Sequence, residues 1–256
     1  MKTRASIMIV ALLTAWAGVP SGATAQSAAG PAAPRAPMGD HHAGDNGGHG
    51  DTSVDGPGIA ATEGFHRRFN DAEKWAKEFD NPKRDAWQKP DEVPDALHLP
   101  PTALVADIGA GTGYFSARLA KRLPQGKVFA ADVEPDMVHY LAARAEHEHL
   151  PNLAPVQARP DAANLPEPVD LILVVDTYHH IDDRSRYFAA LQSSLRPGGR
   201  LVIIDFKADS PNGPPAQHRI PPERVTRELA AAGFSLADTI EFLPRQYGLI
   251  FRKSDS

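Results

Sequence analysis

The chain of 256 residues contains no cysteine. That absence excludes disulfides, thiolate metal sites and any thiol nucleophile or redox relay. Positive charge is also short: 27 Lys and Arg stand against 32 Asp and Glu, a net charge of −5. Nucleic-acid binders carry a basic patch or stripe, so no nucleic acid is expected as a partner. Long apolar runs are missing too. The run IMIVALLTAWAGV at residues 7–19 falls short of the ~20 residues that a membrane-spanning helix needs. What is present, 42% hydrophobic and 23% charged residues, suits a globular protein with one sizeable core.

The short apolar run follows Lys2 and Arg4 and precedes Ala23-Thr24-Ala25, a small-x-small cleavage pattern. Residues 1–25 therefore read as a secretory signal peptide, and the mature chain is expected in the periplasm or outside the cell, with no stable membrane span. The alternative is translation from Met38, which would leave the protein in the cytoplasm. Residues 26–62 are rich in Ala, Gly, Pro, Asp and His and lack apolar periodicity, so they read as a disordered linker. Within them, DHHAGDNGGHGD places His41, His42 and His49 among aspartates. Nothing there fixes a coordination geometry, so no metal site is assigned.

From residue 63 the pattern changes. RFNDAEKWAKEFDNPKRDAWQKPDEV has helical spacing, with Phe69, Trp75, Phe79 and Trp87 as its large apolar residues. Asn70 or Asp71 is the expected cap, and Asn81-Pro82 the expected stop. Residues 63–100 are expected to form a helical lid on the domain at 101–256. Strands are predicted at 103–108, 127–131, 153–157, 169–175 and 199–205. Helices are predicted at 113–123, 135–148, 183–196 and 221–233. Such alternation implies an α/β fold with a mostly parallel sheet and helices on both faces. Two more strands, near 235–241 and 246–252, are joined by a link short enough only for an antiparallel hairpin.

The stretch DIGAGTGYF at 107–115 lies where the first strand turns into a helix. Ligands bind beyond the carboxyl ends of such strands. The glycine spacing is G-x-G-x-G, and Tyr114 stands where a dinucleotide fingerprint needs a third small residue, which argues against a nicotinamide cofactor. The second strand ends in Asp132, placed to accept hydrogen bonds from ribose hydroxyls. After the third strand, DAANLP sets Asp161 at the same sheet edge.

VADIGAGTGYF, AADVEPDM and DAANLP, in that order and spacing, resemble the class I S-adenosylmethionine-dependent methyltransferases over about residues 101–256. The resemblance implies S-adenosyl-L-methionine as cofactor. It implies Asp107, Gly109, Gly111 and Gly113 for the loop, Asp132 for the ribose, and Asp161 with Ala162 for the adenine. It also implies a Rossmann-like seven-stranded sheet of order 3-2-1-4-5-7-6. The expected activity is methyl transfer to O, N or C of a small-molecule acceptor. A non-catalytic cofactor- or nucleoside-binding protein of the same fold is the alternative, and a nicotinamide-dependent oxidoreductase ranks below both. The absence of cysteine disfavours metalloids methylated through protein thiols.

The acceptor is expected near VVDTYHHIDD, at the end of the fourth strand. His179 is the preferred base, since an imidazole with a pKa near 6.5 suits that task at neutral pH. Asp176 is expected near the cofactor or orienting His179. If the strand continued through both histidines, only one would face the cleft, leaving His180 to pack or cap a helix. His218, in the loop after the fifth strand, is a further candidate.

Overall fold

The computed structural model describes residues 64–65 and 67–254. The expected signal peptide and linker, with the His-rich tract, lie outside the described residues.

Three short helices come first: α1 (Ala72–Phe79), α2 (Asp85–Gln88) and α3 (Glu92–Ala96). Asp71 caps α1, its side chain accepting from the Lys74 amide at 3.2 Å. Asn81 and Pro82 stop it, opening a 3₁₀ turn over Pro82–Arg84. The remaining elements are β1 (Leu104–Ile108), α4 (Ser116–Arg122), β2 (Lys127–Asp132), α5 (Pro135–His147), β3 (Leu153–Gln157), β4 (Val169–Val175), α6 (Arg184–Leu191), β5 (Leu195–Phe206), α7 (Pro222–Ala231), β6 (Phe234–Ile240) and β7 (Gln246–Lys253).

The seven strands form one sheet in the order β3-β2-β1-β4-β5-β7-β6. Strands β1 to β5 pair in parallel, whereas β7 runs antiparallel to both β5 and β6. Alternation along β4 splits the core in two. Leu171, Leu173 and Val175 join one apolar cluster; Ile172 and Val174 join the other. Val93 and Leu97 of the α3 region, Leu119 of α4 and Leu141 of α5 cover the first face. Phe188 of α6 and Val225 and Leu229 of α7 cover the second. Burying each such large side chain contributes about 1.5–3 kcal/mol.

Element boundaries depart from the periodicity at two places. Helix α4 starts at Ser116 rather than 113, because Gly111 (φ +55°) and Gly113 (φ +89°) are left-handed and cannot join a right-handed helix. Helix α6 ends at Leu191 and β5 already begins at Leu195. Leu195 pairs with Val169, and the ladder shifts before resuming at Arg200 opposite Leu171.

A buried ion pair fixes the corner after β4. Arg184 Nε donates to Glu228 Oε2 at 2.7 Å, and the Tyr178 hydroxyl donates to the same oxygen at 2.8 Å. Arg184 Nη1 also donates to the Ile181 carbonyl at 3.0 Å. This cluster joins α6 to α7 next to His179 in the chain.

Candidate active site

A cavity of about 890 Å³ opens at the carboxyl ends of β1, β2, β4 and β5. Small-molecule sites span about 300–1,000 Å³, so this one lies near the top of that range. Its floor is the β1–α4 loop. Gly109 and Gly111 border the cavity, and both have positive φ, +72° and +55°. A Cβ on Gly109 would meet the Thr177 side chain at 2.2 Å, so no larger residue fits there. Gly111 meets only the edge of the Phe79 ring, at 3.4 Å. Gly113 is not on the cavity wall. It packs against α5, where a Cβ would lie 2.8 Å from Leu141.

Two carboxylates brace this loop. Asp132 Oδ2 accepts from the Gly111 amide at 2.8 Å, and its Oδ1 accepts from the Glu134 amide at 2.9 Å. Each oxygen keeps a lone pair for a further donor such as a ribose hydroxyl. Burial raises the Asp132 pKa, opposed by those two amides. Asp107 accepts from Ser116 Oγ at 2.5 Å, and burial pushes its carboxyl up to about 6. Thr112 borders the cavity, and its buried hydroxyl has no hydrogen-bond partner among the described residues. An unpaired hydroxyl, two glycines that open the backbone and a braced carboxylate acceptor together suit a polar nucleoside-bearing ligand.

The structure does not bring the expected adenine residues into this group. Asp161 is exposed, accepts from Arg159 Nε at 2.9 Å, and lies off the cavity wall. Ala162 exchanges backbone hydrogen bonds with Arg159, at 2.8 and 3.2 Å. That small bridge turns Asp161 toward solvent, and Ala158, Arg159 and Pro160 border the cavity instead.

The N-terminal segment roofs the site. Phe69, Trp75 and Phe79 form an aromatic cluster with ring centroids 5.0–5.6 Å apart, Trp75 stacked on Phe79 and Phe69 edge-on to Trp75. Arg68 grips Glu134 with two hydrogen bonds, of 2.8 and 3.1 Å. At the other end the Phe65 amide donates to the His179 carbonyl at 2.7 Å, and His180 Nδ1 donates to the Phe65 carbonyl. Tyr114 is buried. Its hydroxyl donates to Asp85, and Arg84 and Arg118 sit over its ring at 4.4 Å each.

Strand β4 does not continue through the histidines. Asp176 takes a left-handed φ of +53°, and residues 178–180 form a 3₁₀ turn. Two-residue alternation therefore fails there, and both His179 and His180 border the cavity. Nor does Asp176 hold His179. Asp176 accepts from Gln88 Nε2 at 2.8 Å and from Gln246 Nε2, and Arg84 lies 3.7 Å away. Burial pushes its carboxyl up to about 6; Arg84 pulls it down and Asp205 adds to the rise.

The carboxylate on His179 is Asp205, near the end of β5. Its two oxygens lie 2.9 and 3.0 Å from His179 Nδ1. Burial alone would lower the imidazole pKa; the charge and hydrogen bond of Asp205, with Asp176 behind, raise it overall. Sequence reading missed Asp205. The signal was present, since β1, β2, β4 and β5 each have an Asp within one residue of their carboxyl ends. His218 is exposed and lies tilted against Phe65, ring centroids 4.5 Å apart, off the cavity wall.

Comparison with known proteins bears on this arrangement. The profile of a family described as a methyltransferase domain matches residues 106–201. A malonyl-[acyl-carrier protein] O-methyltransferase of Hahella chejuensis is 34% identical over 101 residues, 38% of this chain and 34% of that protein. A trans-aconitate 2-methyltransferase of Deinococcus radiodurans is 37% identical over 103 residues, covering 40% of this chain and 38% of that one. The chain thus matches little more than a third of the length of these curated relatives. A crystal structure of an S-adenosylmethionine-dependent methyltransferase from Aquifex aeolicus superposes with a TM-score of 0.65 at 27% identity, over 71% of this chain and 97% of that one.

Proposed function

We propose that the chain carries a class I S-adenosylmethionine-dependent methyltransferase domain, which the family profile and the similar proteins support, and that it transfers a methyl group to a small-molecule acceptor. When bound, S-adenosylmethionine supplies an electrophilic methyl on a sulfonium centre. The residues do the rest. Gly109 and Gly111 let the ligand approach the backbone closely. Asp132 accepts from the ribose hydroxyls, and Thr112 offers its unpaired hydroxyl. Asp107 sets the loop through Ser116. Phe69, Trp75 and Phe79 form a lid that excludes water. His179 is placed to take a proton from the acceptor. Positioning of this kind can supply on the order of 7–11 kcal/mol, and a placed base about 10²–10⁴-fold more.

The observation that carries this reading is the convergence of the glycine loop and Asp132 with His179 around one cavity. Calorimetry with S-adenosylmethionine and S-adenosylhomocysteine tests it. Both should bind the wild type, and Asp132→Ala should weaken both at least tenfold, from the loss of hydrogen bonds to a charged acceptor worth about 1.5–3 kcal/mol each. Unchanged binding in that variant would sink the proposal. The match of DAANLP to the family motif supports a role for the Asp161 loop at the adenine, with Arg159 and Pro160 nearer the cavity.

We propose in addition that the chain is exported. Lys2, Arg4, the apolar stretch 7–19 and Ala23-Thr24-Ala25 support it. The mass of the mature N-terminus decides: Gln26 supports export, whereas Met38 or Gly39 rejects it.

A further inference from the structure

Aspartates stand near the ends of four apolar strands around the cavity, and three of them hold hydroxyl or amide groups. Asp107 holds Ser116, Asp132 holds two amides, and Asp176 holds Gln88 and Gln246. Asp205 differs, because it holds an imidazole. His179 is 4% exposed and Asp205 2%. A carboxylate only accepts, so the ring hydrogen sits on Nδ1, and Nε2 is left as the basic nitrogen.

His180 lies 4.2 Å from that imidazole by ring centroids, and aromatic rings stand further out around it. Phe206 lies 6.3 Å from it by ring centroids and Phe65 6.5 Å, and Trp87 packs 5.9 Å from Phe206. All three rings border the cavity, as does Pro214. Aromatic rings pair favourably at centroid separations of about 4.5–7 Å, so a flat ring would find partners on these walls.

We infer that this end of the cavity takes an aromatic hydroxy compound, a phenol or catechol, and that the His179–Asp205 pair removes its hydroxyl proton. The O–H bond breaks, the proton goes to Nε2, and the oxygen keeps the electron pair. The bond-forming step rests on the methyl transfer proposed above. In it, that electron pair forms the C–O bond to the methyl group, while the C–S bond breaks with its pair returning to sulfur.

Acid strength selects this class. A carboxylic acid, with a pKa of about 4, is already ionised at neutral pH and needs no base. Asp176 and Asp205 would also repel it. An aliphatic hydroxyl yields its proton to an imidazole only as the new bond forms, so it is not held beforehand as the bound anion. A phenol, with a pKa of about 10 as in tyrosine, lies between. Asp205 is a positioning residue here, holding the tautomer and favouring the imidazolium.

The test needs no turnover. The full chain is titrated with 4-nitrophenol in buffer below the probe's own pKa, and the long-wavelength phenolate band is recorded. A saturable band is expected with the wild type. His179→Asn keeps a side-chain N–H toward Asp205 but removes Nε2, and should cut the band at least tenfold with the melting temperature preserved. Asp205→Asn should shift the pH at which the bound probe ionises. Benzoate should compete at least tenfold more weakly than phenol. A wild type that yields no phenolate band overturns the inference, and so does a folded His179→Asn protein with an undiminished one. Calorimetry with S-adenosylhomocysteine separates the two readings. Its failure with the band intact removes methyl transfer alone; its success without the band removes the phenol site alone.

Discussion

Replacing Asp176 by Asn should stabilise the protein above pH 7. Burial lifts the Asp176 carboxyl from 3.8 to about 6, despite the pull of Arg84 and with a further push from Asp205. A gap of about two units corresponds to roughly 3 kcal/mol against the ionised form in the folded state. The side chain is 20% exposed at the cavity. Water there screens part of the effect, which leaves about 1–2 kcal/mol. The sign comes from proton binding. Between about pH 4 and 6 the folded chain holds the Asp176 proton while the unfolded chain has lost it. Stability from this group therefore falls as pH rises through that window, and the deficit persists above it. Asn carries no such deficit. Its oxygen can accept from Gln88 Nε2, and once the Gln246 amide turns over, the Asn NH2 can donate to Gln246 Oε1, a buried atom without a partner among the described residues. Thermal melts at pH 4, 6 and 8 and equal ionic strength measure the effect. Asp176→Asn should melt higher by about 2–8 °C at pH 8, with the gain vanishing near pH 4. A variant that melts below the wild type at pH 8, or an offset that does not change with pH, refutes the reasoning.

Other perturbations separate the parts of the site. Gly109→Ala places a left-handed residue against Thr177 and should lower unfolding stability by about 2–5 kcal/mol in chemical denaturation. Gly111→Ala has room beside Phe79, so it should cost about 1–2 kcal/mol of stability while weakening S-adenosylhomocysteine at least tenfold in calorimetry. Arg184→Ala removes two hydrogen bonds to Glu228 but leaves it Tyr178 and Arg224, and should cost about 1.5–3 kcal/mol, measured by urea unfolding. His179 must be neutral to accept a proton. Asp205 and Asp176 raise its pKa, Arg184 lowers it, and His180 lies against its ring at 4.2 Å. Acceptor ionisation should therefore fade as pH falls through a value above the usual imidazole value of about 6.5, and Asp205→Asn should move that limb to lower pH.

Much of this architecture is written in local patterns. The apolar run of β4 and the alternation of strands with helices announce a parallel sheet, and the short link after β6 announces the antiparallel end. Gly109 and Gly111 mark a turn that only glycine makes easily. Boundaries are harder to read where glycine conformation overrides periodicity, as before α4, or where a ladder shifts, as at the start of β5. The candidate site divides in the same way. Asp132 and its loop are legible because strand end and glycine turn are each local. Asp161 cannot be placed from its motif, because the bridge between Arg159 and Ala162 directs its side chain to solvent. Phe65, Arg84 and Gln88 give no signal as cavity or network residues, since their neighbours lie far along the chain.

The residue order alone dictates the sheet, its glycine turn and the acidic residue that ends β2, because hydrophobic period and backbone conformation act over a few residues. Which carboxylate serves which partner is set by packing across the fold. Asp205 is 26 residues from His179, and only the parallel pairing of β4 with β5 brings the two together. Asp176, three residues from His179, is turned instead toward Gln88 and Gln246, because proximity in three dimensions, not separation along the chain, sets the contacts of a buried charge.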